Sequence, residues 1–418
     1  MSESLTLEGW LDKLSHLHSK EIDLGLDRVR AVGERLGVLR PAPFVITVAG
    51  TNGKGSSVAM LQSILLASGY RVGSYTSPHI LRFNERIQLN GADVSDTQII
   101  QAFEAIEQAS AQCTLTYFEF ATLAALIVFN QADLDYVVLE VGLGGRLDAV
   151  NIVDADACLI TSIDIDHADW LGTDREAIGF EKAGVMRPHR LAVCSDPYPP
   201  VSLVNHARNL GVDLRLINQA YCYKILSTEW QFTCGEIQWV LPKPALLGDF
   251  QCQNAAGVVC LLLVAGVALT EASLRKGLVS LHHPGRLQSM SLGNQAWLFD
   301  VAHNPQSVCV LAQFIEQQPR TRRLAIFAGL ADKDLVPMIK VMQSHIDHWI
   351  LVDLAVPRAT PLAVLNEICH QAGIPEQQID SFHQMKAAIA FAQSLAVAQV
   401  VVYGSFITIS QALGELDG

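Results

Sequence analysis

The chain has 418 residues, half of them hydrophobic, and 29 basic against 42 acidic residues leave a net charge of −13. A single core stops growing well below this length, so two domains are expected. The acidic balance argues against a general nucleic-acid or anionic-membrane surface, though not against an anionic small substrate met in a locally charged pocket.

In chain order, Leu5–Leu17 and Leu26–Leu36 have the spacing of amphipathic helices, and the polar stretch HSKEIDLGL between them suits a loop facing a ligand. The N-terminus carries no basic n-region and no long apolar core, so no signal peptide is expected. The stretch PFVITVAGTNGKGSS follows, Val45–Val48 reading as a buried parallel strand and Val58–Ala67 as a helix with an apolar face at Val58, Leu61, Leu65 and Leu66. Between them Gly50, Gly53 and Gly55 permit a tight turn whose N–H groups aim inward at an anion. Lys54 adds a mobile cation, and Ser56 and Ser57 add hydroxyls that suit a magnesium ligand. Strand, glycine loop and helix are the context of a phosphate-binding loop, here in the variant spacing G-x-x-G-K-G-S.

Arg71–Tyr75 is the next expected strand, and Thr76–Glu85 after it reads either as a binding loop or as a plain surface connection. Asp96–Ala111 and Glu119–Phe129 read as helices and Leu134–Val141 as an apolar strand bearing Glu140 near its end. A carboxylate in such a run needs a cation, a metal or strong donors, and this is the usual place of a magnesium-holding acid, with a structural salt bridge as the alternative. GLGGRLDA then brings Arg146 and Asp148. After the strand Ala157–Ile163, His167 sits among Asp164, Asp166 and Asp169, as a metal ligand or as a solvated loop residue. Thr173–Gly184 reads as a helix carrying Lys182.

A strand from Leu191, a helix near Pro200–Leu210 and alternating segments from Cys222 to Leu241 follow, the last expected as antiparallel strands at the edge of the sheet. The apolar run Ala255–Leu269 is too short for a comfortable membrane span and reads as a buried helix, with Asn254 as its N-cap. HHPGRLQ reads as a linker. Strands then recur at Ala296–Val301, Leu324–Gly329, Trp349–Val352 and Val400–Gly404, with Asp300 and His303 after the first and Lys333 after the second. Nine cysteines lie without a C-x-x-C pair, and most, such as Cys158, Cys194 and Cys260, sit among apolar neighbours, which reads as buried thiols in a reducing cytosol.

The fold class expected is therefore α/β: residues 1–281 as a P-loop mononucleotide-binding domain with a mostly parallel sheet, 282–290 as linker, and 291–418 as a smaller Rossmann-like α/β domain. Polar groups at the strand ends of both place the active site in the cleft between domains.

The motifs HSKEIDLGLDRV, VAGTNGKGS, SPH, LTYFE, LEVGLGGRLDA, DHADWLG, EKAG, PGR, DVAHNP and DKD, in this order over nearly the whole chain, resemble the bifunctional dihydrofolate synthase/folylpolyglutamate synthases of bacteria, a family of ATP-dependent amide ligases within the Mur-ligase superfamily. The resemblance implies an ATP site at Thr51, Asn52, Gly53, Lys54, Gly55 and Ser56, with Asn254, Arg286 and Asp300 also holding the nucleotide. It implies magnesium, at two sites, with Ser77, Glu140 and His167 as ligands, and a carbamate on Lys182. His16, Leu17, His18, the segment Thr116, Tyr117, Phe118 and Glu119, and Leu147, Asp148 and Ala149 match the dihydropteroate-binding region, and His303 and Lys333 face the reacting groups. Substrates implied are dihydropteroate, tetrahydrofolates, L-glutamate and ATP, handled by a cytoplasmic monomer. GSFIT carries Ile407 where some relatives carry histidine, so that position is given no polar role. A cell-wall Mur ligase would carry a further domain ahead of the phosphate loop, where this chain has fewer than about fifty residues, too few for one. A switch NTPase would leave the polar strand ends of the second domain without a purpose.

Overall fold

The computed structural model describes residues 5–20, 22–110, 113–281 and 283–417, without the side chains of Ala168, Asp169 and Asp417. The expectations placed on the Asp169 carboxylate and on His282 lie outside the described residues. The chain forms two compact units, Met1–Ala245 with Gln251–His282, and Leu246–Phe250 with His283–Gly418.

The first unit is built on an eight-stranded sheet of β1 (Phe44–Ala49), β2 (Val72–Tyr75), β3 (Ile87–Leu89), β4 (Ala92–Asp93), β5 (Tyr136–Glu140), β6 (Ala157–Ile160), β7 (Leu191–Cys194) and β8 (Asp213–Leu216). Their order is β4-β3-β2-β5-β1-β6-β7-β8. From β2 to β8 neighbouring strands run parallel, while β3 and β4 pair antiparallel at one edge. Val45, Ile46, Val48 and Ala49 are fully buried, which is why β1 reads as a continuous apolar run: helices cover both faces of a parallel sheet. The helices are α1 (Leu7–Leu17), α2 (Asp27–Leu36), α3 (Lys54–Ala67), α4 (Asp96–Ser110), α5 (Tyr117–Gln131), α6 (Ala168–Leu171), α7 (Arg175–Ala183), α8 (Val201–Leu210), α9 (Phe250–Val264) and α10 (Glu271–Ser280). The strand order reverses around β1, because the chain steps from β1 over the place of β5 to β2 and later adds β6 on the other side. A crevice at the carboxyl ends of β1, β5 and β6 is the expected ligand site of such a sheet.

Helix α3 is buried beyond the single face its sequence suggests. Gly277 of α10 lies so close that a Cβ there would stand 2.6 Å from the Ile64 Cα, and Ser63 Oγ donates to the Gly277 carbonyl at 2.7 Å. Two sequence expectations are corrected in this unit. Helix α9 begins at Phe250, so Asn254 lies in its second turn and is no N-cap. The segment from Cys222 to Leu241 does form antiparallel strands, β9 (Cys222–Ile225), β10 (Glu229–Cys234) and β11 (Ile237–Pro242), but these make a separate three-stranded sheet. The edge of the main sheet is already taken by β8, which pairs with β7. Trp230 and Phe232, alternate residues of β10, are fully buried and give the small sheet its own apolar face.

The second unit holds a six-stranded sheet of β12 (Gln288–Leu292), β13 (Gln295–Asp300), β14 (Arg323–Phe327), β15 (His348–Val352), β16 (Ile379–Phe382) and β17 (Gln399–Tyr403), in the order β12-β13-β17-β14-β15-β16. All but β12 are parallel. Its helices are α11 (Pro305–Glu316), α12 (Leu335–Met342), α13 (Leu362–Gln371), α14 (Met385–Ser394) and α15 (Phe406–Asp417). Strand β12 begins inside the range read as linker, with Gln288 opposite Phe299. Phe250 packs against this unit's core, and at Gly248, whose φ is +97°, a Cβ would stand 3.2 Å from the Leu287 side chain. Among the described residues no helix is long and apolar enough to cross a membrane.

Candidate active site

Between β1 and α3 the chain turns through Gly50 at φ +142° and Gly53 at φ +92°. Both need the absence of a side chain as well as the backbone freedom. A Cβ on Gly50 would stand 1.8 Å from Thr161 Oγ1, and one on Gly53 would stand 2.7 Å from Asn254 Oδ1. The loop is pinned to the end of β6 by Thr51, whose N–H donates to the Ser162 carbonyl at 2.7 Å and whose hydroxyl donates to the Asp164 carbonyl at 3.0 Å. Gly53, which has no side chain to cap with, precedes the 14-residue helix α3, whose amino end carries the partial positive charge that favours an anion. Lys54 Nζ curls over the loop to the carbonyls of Gly50 and Thr51, both at 3.1 Å. Ser56 Oγ accepts from Gln251 at 3.3 Å, and Gln251 in turn accepts from Asn254 at 3.0 Å. Gly50→Ala is expected to cost about 2–4 kcal/mol of stability, from strain plus overlap. The urea midpoints of the variant and of Gly50→Ala/Thr161→Ala check this: the second change should recover the overlap with the hydroxyl and leave the strain and the 2.9 Å approach to the Cβ of residue 161.

Lys182, on α7, reaches the same Gly50 carbonyl at 2.9 Å. It is 4% exposed, and burial, followed by repulsion from Lys54, brings its ammonium pKa down to about 7 against the attraction of Asp166 and Asp148. Asp148 is pushed up to about 6 by burial, while the N–H groups of Leu143 and Val150 and the charge of Lys54 pull it the other way. Leu147 is half-buried and Ala149 buried in the turn and short 3-10 helix that Asp148 caps. Asp166, in the loop after β6, is close enough for its charge to act on Lys182, and in that loop His167 adopts φ +51° with its N–H donating to Asp166 Oδ1 at 2.8 Å.

Glu140 ends β5 opposite Val48, the residue two before the glycine turn. It is 3% exposed, and its Oε2 accepts from the Ser77 N–H at 3.2 Å, across from the end of β2. Among the described residues no three His, Cys, Asp or Glu side chains gather as a cage for a metal. A buried strand-end carboxylate, with a serine and the phosphate loop beside it, instead fits an ion that takes most of its ligands from phosphates and water, the habit of magnesium.

Thr116 and Glu119 form a reciprocal capping box on α5. Glu119 Oε2 also takes Arg28 Nε at 3.2 Å. Arg28 pairs with Asp23, and Asp23 faces His18 Nε2 at 3.3 Å while His18 Nδ1 meets Thr114 at 2.9 Å. One network thus joins the loop after α1 to the start of α5. Tyr117 and Phe118 are half-buried, and Phe118 lies against Gly142 so closely that a Cβ there would stand 2.6 Å from the ring. Leu17 closes α1. His16 is apart from this network, with a side chain 78% exposed. Arg28, Asp23, His79 and Arg86 were not singled out in the sequence: Glu119 beside Arg28 and Tyr117 beside Arg86 come from a distant helix, and Asp23 and His79 meet these arginines only once the chain folds.

In the second unit, Asp300 accepts from the N–H groups of Leu287 and Ala302, each at 2.8 Å. Burial raises its pKa, and the charge of Arg286 opposes the rise. The Arg286 guanidinium lies 5.0 Å from the Phe406 ring centroid, and the His303 ring lies 5.8 Å from the same ring. His303 Nδ1 meets the Val301 carbonyl at 2.9 Å, which puts the neutral ring's proton on Nδ1. Lys333, its side chain 7% exposed, stands 3.8 Å from Asp332.

The model of the Mur ligase middle domain matches residues 48–262, and that of the Mur ligase glutamate ligase domain matches residues 285–406. A dihydrofolate synthase/folylpolyglutamate synthase of Escherichia coli is 42% identical over 98% of this chain and 96% of its own. The structure of E. coli FolC in complex with DHPP and ADP superposes with a TM-score of 0.93 at 41% identity, over 99% of this chain and 98% of that one. A bifunctional folylpolyglutamate synthase/dihydrofolate synthase with Mn, AMPPNP and L-glutamate bound gives 0.92 at 40%, over 99% of both. Matched by two Mur ligase models and by relatives aligned with it over nearly the whole of both chains, with the same fold, the chain belongs to the dihydrofolate synthase/folylpolyglutamate synthase family of Mur ligases.

Proposed function

We propose that this chain is an ATP-dependent ligase that joins L-glutamate to dihydropteroate and to the glutamate tail of tetrahydrofolates. The observation that carries the reading is the glycine turn at the amino end of α3, with Lys54 folded over its loop and Glu140 at the end of the adjoining strand. A carboxylate is a poor electrophile because oxide would have to leave. Its oxygen attacks the γ-phosphorus of ATP, ADP departs, and the acyl phosphate so formed has phosphate as its leaving group. The amine of L-glutamate then attacks the acyl carbon, phosphate leaves, and the ammonium formed gives up its proton.

The protein's share is positioning and charge. The α3 N–H groups and Lys54 hold the phosphates, and the Thr51 anchors keep the loop shaped for them. Ser77, Glu140 and His167 hold magnesium, at two sites in all, which when bound neutralises phosphate charge. Asn254, Arg286 and Asp300 serve the nucleotide, the loop after α1, the start of α5 and the turn at Asp148 serve the pterin, and His303 and Lys333 face the reacting groups. Lys182 carries a carbamate: its lowered pKa leaves a large fraction as the neutral amine that adds to carbon dioxide with loss of a proton. The enzyme works as a cytoplasmic monomer on small molecules, without nucleic acid or membrane.

The test is ADP release by the purified chain with magnesium-ATP and L-glutamate, with dihydropteroate or tetrahydrofolate as acceptor. Glutamate-dependent release with both is expected. Release with tetrahydrofolate alone would reduce the activity to polyglutamylation, and release independent of glutamate would overturn the ligase reading.

A further inference from the structure

Arg86 ends the short helical turn Phe83–Arg86 in the loop after β2 and is only 8% exposed. An arginine so little exposed commonly meets an anion or a set of carbonyls. Other arginines of this unit do so: Arg28 has Asp23 and Glu119, and Arg187 has Asp154 and several carbonyls. Arg86 has neither. Among the described residues its polar side-chain contact is Nε to His79 Nδ1 at 2.8 Å, and its guanidinium carbon lies 5.5 Å from the Phe83 ring centroid and 5.6 Å from the Tyr117 ring centroid. Both terminal nitrogens, four N–H groups, have no acceptor among the described residues.

The neighbours carry unspent donors too. Because His79 accepts at Nδ1, its neutral ring holds the proton on Nε2. Tyr117 contributes a hydroxyl at the start of α5, next to Phe118. The cluster lies beside the chemistry already described: the Tyr75 hydroxyl, at the end of β2, is within the fields of Arg86, Asp148 and Tyr117 together, and Ser77 in the same loop touches Glu140. A guanidinium close to two aromatic rings, with two further donors, suits a carboxylate carried near an aromatic ring, gripped through two parallel N–H bonds.

Resting on the ligase reading above, we infer that Arg86, with His79 Nε2 and the Tyr117 hydroxyl, binds a carboxylate of the acceptor substrate. That carboxylate is either the reacting group itself or the spectator α-carboxylate present only when the acceptor already ends in glutamate. Arg86→Met keeps the stem's packing and removes the grip.

The experiment measures KM and kcat of wild type and Arg86→Met with each acceptor, alongside calorimetric binding of dihydropteroate and of tetrahydrofolate without ATP. The expected result is a KM and Kd higher by roughly ten- to a hundredfold, the worth of hydrogen bonds to a charged group, with KM for ATP unmoved. Weakening with both acceptors identifies the reacting carboxylate. Weakening with tetrahydrofolate alone identifies the α-carboxylate. Affinities within threefold of wild type for both, in a variant that melts like wild type, overturn the proposal. Arg86→Lys should fall between the two, since it restores charge without the fork. If Arg86→Met does not fold, Tyr117→Phe takes its place, with a smaller loss of the same acceptor's affinity expected and none overturning the proposal. A wild type that binds acceptor but releases no ADP would sink the ligase reading, and the calorimetric comparison would still decide the anchor.

Discussion

Lys54→Ala is expected to lower glutamate-dependent ADP release by about two to three orders of magnitude, the usual cost of deleting one preorganised group that stabilises transition-state charge. The loop itself should survive. The change removes the two bonds from Lys54 Nζ to the Gly50 and Thr51 carbonyls, but the loop keeps its two glycines, the Thr51 bonds to the end of β6 and the Lys182 bond to the Gly50 carbonyl. The variant should therefore melt like the wild type and lose mostly kcat. Turnover within a few-fold of wild type would remove Lys54 from the phosphate chemistry. A large fall in melting temperature would mean that the lysine shapes the loop instead.

Lys182→Met should be as damaging to turnover and yet neutral or favourable for folding. The ammonium pKa is near 7 in the folded chain, against 10.5 as its ordinary value. Between those two values the unfolded chain binds more protons than the native one, so this group adds stability as pH rises across that window. Below it the full burial cost is present. Methionine has no such slope. Urea unfolding of both proteins in carbon dioxide-free buffer at pH 6.5 and pH 9.5 should show the variant's advantage at the lower pH shrinking at the higher. A pH-independent difference would mean that the site does not penalise the charge. Turnover of the wild type is the separate test of the carbamate: it should fall when carbon dioxide is stripped and return with added bicarbonate.

The phosphate loop was legible because its parts are local: three glycines, a lysine and a buried strand lie within fourteen residues of Phe44–Ser57. The acid at Glu140 was legible for a related reason, since a carboxylate in an apolar run stands out against its neighbours. Lys182 could not be read as a depressed amine, because its environment is assembled from Gly50, Lys54, Asp148 and Asp166, which come from three different loops. Arg86 was hidden in the same way. In TSPHILRFNER it looks like one more polar residue, and only the return of Tyr117 on α5 encloses it. The alternation of Cys222–Leu241 disclosed strands but not their sheet, because alternation fixes which side chains point inward and says nothing of the neighbouring strand. Asn254 was placed at a helix start because the apolar run begins at Ala255, whereas Phe250–Gln253 already wind the first turn.

Leu246–Phe250 carries a consequence for anyone who would treat this chain as two exchangeable modules. The five residues belong with His283–Gly418, yet Gln251–His282 after them returns to the first unit. No single cut in the gene therefore separates the halves. A fragment ending at residue 282 would expose the ring of Phe250, and one starting at 283 would leave a notch in its own core where that ring belongs. Chimeras that trade carboxyl-terminal pieces with a relative should carry residues 246–250 from the same parent, or they inherit a mismatched seam.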